Sequence, residues 1–313
     1  MRSARDRDLV IDRFRGALVV LMVIGDYIAG INWIPSYLKH APDVGYTIAD
    51  TVAPAFVFVI GLNYVPSFKA RYQEDRFKAY RHFLVKYLIL FALGTLITLG
   101  AAWTNRPTGW GVLESLGVAG MINLAFVLLP TWIRFVLGLL ILSFYQYFLD
   151  KYFLQTVLTT GHGGLYGAIS WSALLLLATV IAELLKKGRN TYLLTILGLL
   201  ALTVISVIIT PISKNRVSAS YILLSLTITT VVYLLIKFLS KDENKHPGVF
   251  TWWGKHALGL YLTHLIILGV FALPEADWWY ADVPIWLLLI QLSSILLIMT
   301  LIARLLYFRK TKK

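Results

Sequence analysis

Apolar residues in this chain come in runs separated by short polar or charged stretches. The runs are about 20 residues long, the length at which an α-helix crosses the hydrocarbon layer of a bilayer. They lack the strict alternation of a transmembrane barrel strand, and a helix satisfies its backbone hydrogen bonds internally. About ten spans are predicted, at 9–31, 46–66, 83–103, 111–129, 131–149, 164–185, 191–210, 218–239, 255–273 and 284–307.

Composition supports an all-α integral membrane protein. Of 313 residues, 58% are hydrophobic and 14% are charged, about half the charged share of a soluble domain. The connections between the predicted spans are too short for a second folding unit, so we expect a single transmembrane domain over residues 1–313. No internal repeat stands out, so the inverted-repeat organisation of many transporters lacks support.

Basic residues cluster on every second connection, which is the distribution expected of cytoplasmic loops. The pattern predicts that both termini lie in the cytoplasm, and it explains the net charge of +13 without a nucleic-acid partner. The last intervening loop instead carries Glu275, Asp277 and Asp282. The clusters are Arg2, Arg5, Arg7, Arg13 and Arg15; Lys69, Arg71, Arg76, Lys78, Arg81 and Lys86; Arg134; Lys186, Lys187 and Arg189; Lys237, Lys241 and Lys245; and Arg309, Lys310, Lys312 and Lys313.

Ionisable residues inside a span are costly and mark candidate sites. Arg15 and Asp26 are 11 residues apart in the first span, which returns to nearly the same helix face roughly 16 Å further along the axis. Arg15 is also explained as a flanking residue whose charged end reaches the interface. Topology alone does not require Asp26, so we expect this carboxylate to be functional or paired.

The loop after the first span and the start of the second hold further polar candidates. Trp33 lies near the end of the first span, where interfacial tryptophans occur. His40 is either an ordinary loop histidine or a proton-transfer group, since imidazole titrates near neutral pH. Thr47 or Asp50 is expected to cap the second helix.

Two other polar residues are open to two interpretations. His264 lies inside the ninth predicted span, either as a packed, hydrogen-bonded histidine or as part of a site. Glu114 begins the fourth span and is either a cap or a site residue. The six histidines are scattered without carboxylate partners at ligand intervals, so no metal site is predicted.

Several segments together resemble the catalytic domain of heparan-α-glucosaminide N-acetyltransferase and its prokaryotic relatives, a family of transmembrane acyltransferases. The resemblance is specific over residues 11–61 and weaker at the starts of spans four and nine. The segments are Arg13-Phe14-Arg15-Gly16, Leu21-Met22-Val23-Ile24-Gly25-Asp26-Tyr27, Lys39-His40, Thr47-Ile48-Ala49-Asp50, Pro54-Ala55-Phe56-Val57-Phe58-Val59-Ile60-Gly61, Gly111-Val112-Leu113 and Gly254-Lys255-His256-Ala257-Leu258 with Tyr261 and His264.

The resemblance implies an enzyme that moves an acetyl group from cytoplasmic acetyl-CoA to a sugar or amino sugar across the bilayer. It implies that His40 is catalytic, either as a base or through an acetyl-histidine intermediate. We expect Asp26 to orient the His40 imidazole, as the carboxylate of a triad does. Candidate coenzyme A-binding residues are Arg13, Arg15, Gly16, Arg71, Arg76 and Lys86, and candidate acceptor-binding residues are Trp33, Asp50, Glu114 and His264.

The chain also departs from the family pattern. The family usually has asparagine at the position of Asp26 and Gln-Arg at the position of Glu114-Ser115. These departures lie toward the acceptor side, so we expect an acceptor other than heparan. A transporter or flippase and a catalytically inactive scaffold of the same fold are the alternatives. A prokaryotic cell membrane is the expected location, and a homodimer is left open.

Overall fold

A computed structural model describes residues 8–103, 109–240, 247–271, 273–274 and 276–309. These residues are organised almost entirely as helices, with short 3₁₀ turns at Ser36–Leu38, Gly161–Gly163 and Asp277–Trp279 and a π-helical turn at Leu149–Phe153. The α-helices are α1 (Leu9–Ile28), α2 (Ile48–Glu74), α3 (Arg76–Trp103), α4 (Val112–Asn123), α5 (Thr131–Phe148), α6 (Leu154–Leu158), α7 (Gly164–Leu184), α8 (Arg189–Ile209), α9 (Ala219–Leu239), α10 (Val249–Lys255), α11 (Ala257–Phe271) and α12 (Ile285–Arg309).

The prediction of a polytopic helical membrane protein is confirmed, and each of the ten predicted spans coincides with a helix. Length and hydropathy alone select fewer of these helices as candidate spans. Among the described residues, seven helices are long and apolar enough to cross a membrane, or eight if α10 and α11 form one bent span. Helix α1 falls short because it carries four ionisable residues, and α4 because it has only 12 residues.

Contacts between residues divide the chain into two compact units. The terminal unit comprises Met1–His40, Thr47–Val52 and Val232–Lys313, and the central unit comprises Ala41–Tyr46 and Ala53–Val231. The boundaries fall within α2 and α9. The expectation of a single domain over residues 1–313 stays a prediction.

Two glycines bring α1 and α10 together in the terminal unit. A Cβ on Gly16 would lie 1.9 Å from the Phe250 carbonyl oxygen, and a Cβ on Gly254 would lie 1.8 Å from the Asp12 carbonyl oxygen. Any larger residue would therefore separate the helix backbones. Small residues commonly allow such close packing between membrane helices, where burial from water does not drive association.

Helix α7 is the buried centre of the central unit, with 83% of its apolar stretch covered, whereas 22% of that of α8 is covered. A buried ion pair fixes α5 to α7. The Arg134 guanidinium is 2.7 Å from the Glu183 carboxylate and also donates to the Thr179 hydroxyl and the Leu129 carbonyl. These additional hydrogen bonds offset part of the cost of desolvating the charge.

Candidate active site

The site begins with the cap of α2. The Asp50 Oδ2 atom accepts hydrogen bonds from the Thr47 backbone N–H at 3.0 Å and from the Thr47 hydroxyl at 3.1 Å. An acidic residue three positions into a helix commonly reaches back in this way, and the helix dipole favours negative charge there. The sequence-based expectation of a cap at Thr47 or Asp50 is confirmed, with both residues taking part.

The other oxygen of the same carboxylate holds His40. The Nδ1 atom of His40 lies 2.7 Å from Asp50 Oδ1, the Asp50 side chain is fully buried, and the His40 side chain is 43% exposed. A carboxylate acceptor favours a proton on Nδ1, which leaves Nε2 as the nitrogen that can accept one. The arrangement presents an oriented, accessible imidazole base.

A second histidine–aspartate pair joins α1 to α11. The Nε2 atom of His264 lies 3.0 Å from Asp26 Oδ2, and Nδ1 bonds to the Tyr261 carbonyl. The His264 side chain is fully buried, whereas that of Asp26 is 41% exposed. Because a carbonyl only accepts, Nδ1 carries a proton, and the contact with Asp26 requires one more proton between the two groups.

These contacts correct the expected pairing of Asp26 with His40. Asp50, which the sequence suggested as an acceptor-binding residue, holds the His40 imidazole. Asp26 bonds to His264. The physical reason is local: Asp50 lies in the first turn of α2, which directly follows the loop that contains His40. Of the two alternatives for His264, the structure shows the packed, hydrogen-bonded histidine. The catalytic role of Asp26 and the acceptor-binding role of His264 stay proposals.

Hydrogen bonds join the C-terminal end of α1 to α12 and to the segment before α12. Tyr27 donates to the Gln291 side chain, and Tyr280 donates to the Tyr27 carbonyl at 2.9 Å. The sequence reasoning missed these residues, although a glutamine within the apolar run of α12 was a usable signal. This network anchors the start of the chain segment that leads to His40.

Trp33 continues that network. Its indole N–H donates to the Val283 carbonyl at 2.7 Å, and the neighbouring Asn32 amide donates to Asp282 at 2.9 Å. The Trp33 side chain remains 44% exposed. Its exposed surface leaves room for the expected contact with an acceptor, and its buried N–H gives it a fixed orientation.

The candidate coenzyme A-binding residues of α1 are engaged within the protein. Arg15 donates to Asp12 at 3.2 Å and to the Gly254 carbonyl at 3.3 Å. Arg13 is 8% exposed, and Gly16 faces the backbone of α10. Arg15 and Gly16 thus join α1 to α10, and Arg13 is buried, so the environment of these residues favours a structural contribution.

The remaining candidate cations, Arg71, Arg76 and Lys86, belong to the central unit and lie on α2 and α3. All three are exposed. The Arg76 guanidinium lies 5.5 Å from the centre of the Tyr72 ring, and the Lys86 ammonium lies 5.0 Å from that of Tyr87. Cations held over aromatic faces keep their charge accessible to an anion such as a phosphate.

Glu114 caps α4, which is the structural alternative that the sequence left open. Its Oε2 accepts from the Gly111 backbone N–H at 2.9 Å, and its Oε1 accepts from the Thr98 hydroxyl at 2.6 Å. The residue is 3% exposed. Both carboxylate oxygens are therefore occupied inside the central unit, and contact with an acceptor would require one of these bonds to break.

Some residues of the charge pattern lie outside the described residues. They are Arg2, Arg5, Arg7, Lys241, Lys245, Glu275, Lys310, Lys312 and Lys313. Within the described ranges, no group of three or more histidine and acidic side chains is arranged to hold a metal ion.

Comparison with known proteins relates the first half of the chain, which includes His40 and Asp50, to a known family. The family model described as heparan-alpha-glucosaminide N-acetyltransferase, catalytic, matches residues 7–163. The mouse (Mus musculus) heparan-alpha-glucosaminide N-acetyltransferase is 33% identical over 125 residues, covering 37% of this chain and 18% of the relative. The human (Homo sapiens) protein of that name is 33% identical over 116 residues, covering 34% and 17%. The alignments therefore span less than a fifth of each relative.

Proposed function

Since this chain belongs to the heparan-alpha-glucosaminide N-acetyltransferase catalytic family, we propose that it moves an acetyl group from cytoplasmic acetyl-CoA to an extracytoplasmic sugar or amino sugar. The observation that supports this proposal best is the exposed His40 imidazole, held at 2.7 Å by the buried Asp50 carboxylate. Both residues lie within the matched region. A base oriented by a carboxylate is the arrangement that acyl transfer to a hydroxyl or amine requires.

In the direct route, His40 Nε2 removes the proton from the acceptor hydroxyl or amine as that group attacks the thioester carbonyl. The carbon–sulfur bond then breaks, and coenzyme A leaves as a thiolate. Asp50 stabilises the imidazolium that forms at His40, because its carboxylate is already in contact with Nδ1. The imidazolium returns its proton to the leaving thiolate, which restores the base.

In the alternative route, Nε2 itself attacks the thioester and an acetyl-imidazole forms while the thiolate leaves. The acceptor then attacks that acetyl group, the carbon–nitrogen bond to Nε2 breaks and frees the imidazole, and the proton of the acceptor passes to the coenzyme A thiolate. Both routes use the same nitrogen and the same partner, so the geometry of His40 and Asp50 supports each of them.

Asp26 and His264 provide a second proton-sharing pair in the terminal unit. We propose that the exposed part of the Asp26 carboxylate binds a polar group of the acceptor. His264 then serves to hold Asp26, because both of its ring nitrogens are already in contact with acceptors.

The exposed cations Arg71, Arg76 and Lys86 are the best candidates for the phosphates of the donor. Their exposure supports this role more strongly than that of Arg13, which is 8% exposed, and of Arg15, whose side chain is 23% exposed. The alternating basic clusters in the sequence favour a cytoplasmic position for these residues and for both termini. We further propose a prokaryotic cell membrane as the location.

The test is acetyl transfer by the purified protein in detergent or vesicles. Radiolabelled acetyl-CoA is incubated with a panel of sugars and amino sugars, using the wild type, His40→Ala and, as a control, His82→Ala. His82 is an exposed histidine on α3. We expect label transfer that is lost in His40→Ala and kept in His82→Ala. Equal transfer by both variants would show that His40 is not the base.

One observation favours the transporter alternative. Helices α10 and α11 meet at a bend of 92° near His256, and broken helices often form the binding sites of transporters. Solute flux into vesicles in the absence of coenzyme A distinguishes this function. Solute flux without acetyl transfer would indicate that the protein is a transporter and not the proposed enzyme.

A further inference from the structure

The loop that follows His40 is fastened to the loop between α8 and α9, and both loops belong to the central unit. The Gly45 backbone N–H donates to the Ile212 carbonyl at 2.8 Å, next to an antiparallel bridge between Val44 and Ser213. The Asn215 amide donates to the Pro42 carbonyl. Residues 42–45 thus pair with residues 212–215 through one backbone hydrogen bond, the bridge and one side-chain amide.

A charged contact reinforces this pairing. The Arg216 Nε atom lies 3.0 Å from Asp43 Oδ1 and 3.2 Å from Oδ2, and its Nη2 also donates to Oδ2. The buried Ser213 hydroxyl donates to Asp43 Oδ1 at 2.7 Å. The Tyr145 hydroxyl holds the Arg216 carbonyl at 2.6 Å. A guanidinium that meets a carboxylate through two nitrogens fixes orientation as well as distance.

Burial of apolar surface fixes the two ends of residues 41–46 more than the middle. Ala41 is 8% exposed, and the Tyr46 ring lies 5.9 Å from the buried Tyr221 ring while its hydroxyl bonds to Ser225, whereas Val44 is 58% exposed. Gly45 has a φ of +133°, a backbone conformation that favours glycine. The position of residues 42–45 therefore depends mainly on polar bonds, which include the ion pair.

Residues 41–46 connect His40 directly to Thr47, the residue that shares the Asp50 cap. We propose that Asp43 and Arg216 are positioning residues that hold residues 41–46 so that His40 stays within hydrogen-bonding distance of Asp50. This inference rests on the proposed function of His40. If the ion pair is lost, the loop gains conformations in which the imidazole leaves its carboxylate, and a misplacement of about 1 Å can lower a rate by about 10²-fold.

The experiment is a double-mutant cycle with Asp43→Asn, Arg216→Gln and the combination of both, measured as kcat and KM for acetyl transfer. The control is Asp75→Asn, which removes the charge from another aspartate that pairs with a cation, Lys78 at 3.3 Å. We expect each single variant to lower kcat roughly 10-fold with little change in KM for acetyl-CoA. The double variant should lose no more kcat than either single variant does, and kcat of the control should equal that of the wild type.

Hydrogen–deuterium exchange of the peptide containing residues 41–46 accompanies the kinetics. We expect faster exchange in both single variants and unchanged exchange in Asp75→Asn. The inference is overturned if kcat stays within two-fold of the wild type, if the two losses add, or if kcat falls while exchange does not change. The additive result would show that the residues act separately.

A readout that needs no activity separates this inference from the proposed function. Diethyl pyrocarbonate acylates histidine, and mass spectrometry gives its rate at His40. We expect a several-fold faster reaction in Asp43→Asn, because both ring nitrogens become accessible once the imidazole leaves Asp50, and no change in Asp75→Asn. A rate that is unchanged or lower overturns the positioning role. If the wild type transfers no acetyl group while this rate rises, the proposed function fails and the positioning role stands.

Discussion

The terminal unit contains two histidine–aspartate pairs that are opposite in their exposure. In the first, the His40 side chain is 43% exposed and Asp50 is buried. In the second, His264 is buried and the Asp26 side chain is 41% exposed. The first pair therefore presents an imidazole, and the second presents a carboxylate.

The difference shows why the same two residue types are suited to different chemistry. The His40 ring has one nitrogen held by a carboxylate, so the other can exchange a proton with a reacting group. The His264 ring has an acceptor at each nitrogen, so its proton stays within the protein. Proton transfer to a substrate is assigned to the first pair, and recognition and structural support are assigned to the second.

The largest expected effect is the loss of the accessible imidazole. His40→Ala should lower kcat for acetyl transfer by about 10²–10⁴-fold, the range usual for a general base. Thermal unfolding should be nearly unchanged, since the ring is partly exposed. Steady-state kinetics with radiolabelled acetyl-CoA and a thermal melt measure both. If His40→Ala kept more than a tenth of the wild-type kcat, the assignment of proton transfer to the His40–Asp50 pair would be wrong.

The next largest effect should follow from Asp50→Asn. An asparagine still accepts the Thr47 hydrogen bonds that cap α2, but it neither stabilises the imidazolium nor selects the same tautomer of His40. We expect kcat to fall on the order of 10²-fold. Thr47→Ala, which weakens the cap and leaves the carboxylate in place, is the matched control and should lose far less. Equal losses in the two variants would indicate that the cap alone matters.

A smaller effect is expected at the second pair. Asp26→Asn keeps a polar side chain within reach of His264, so kcat should fall by less than about 10-fold, and a rise in KM for the acceptor should account for most of the change. His264→Ala should mainly lower the melting temperature, because it empties a buried position and leaves Asp26 without its partner. If Asp26→Asn lowered kcat as far as Asp50→Asn, the two pairs would have to be treated as one catalytic unit.

The smallest effect concerns pH and the loop next to the first pair. The hydrogen bonds from Arg216 hold the pKa of the Asp43 carboxyl below its ordinary value. Its contribution to stability is therefore complete above about pH 4, the usual aspartate pKa, and disappears as the pH falls through the lowered value. In exchange measurements on residues 41–46, Asp43→Asn should differ from the wild type at pH 6 and approach it as the pH falls through the lowered pKa of Asp43. A difference independent of pH would exclude the ion pair as its source.

Hydropathy predicted where the helices lie because each apolar run is continuous in sequence. It could not predict how many cross the bilayer. The bend between α10 and α11 occurs within the predicted span at 255–273, and α4 ends at Asn123 although its apolar run continues to residue 129. Backbone direction depends on packing against other helices, and the hydropathy of one segment does not contain that information.

The candidate site was predictable residue by residue but not pair by pair. His40, Asp50, Asp26 and His264 all stand out as polar groups at or within apolar segments. The contact between Asp26 and His264 joins residues 238 positions apart, which no local spacing indicates. The contact between His40 and Asp50 spans ten positions and includes a capping residue, so helix-capping rules were the closest available signal.

The shared carboxylate of Asp50 has a consequence for heat and denaturants. One oxygen closes the first turn of α2 and the other orients His40, so fraying of that turn would release the imidazole while the rest of the fold stays intact. Helix ends fray at a lower free energy than global unfolding requires. Inactivation on warming should therefore precede the melting of the protein, and the temperature interval between the two would measure the local stability of a single helical turn.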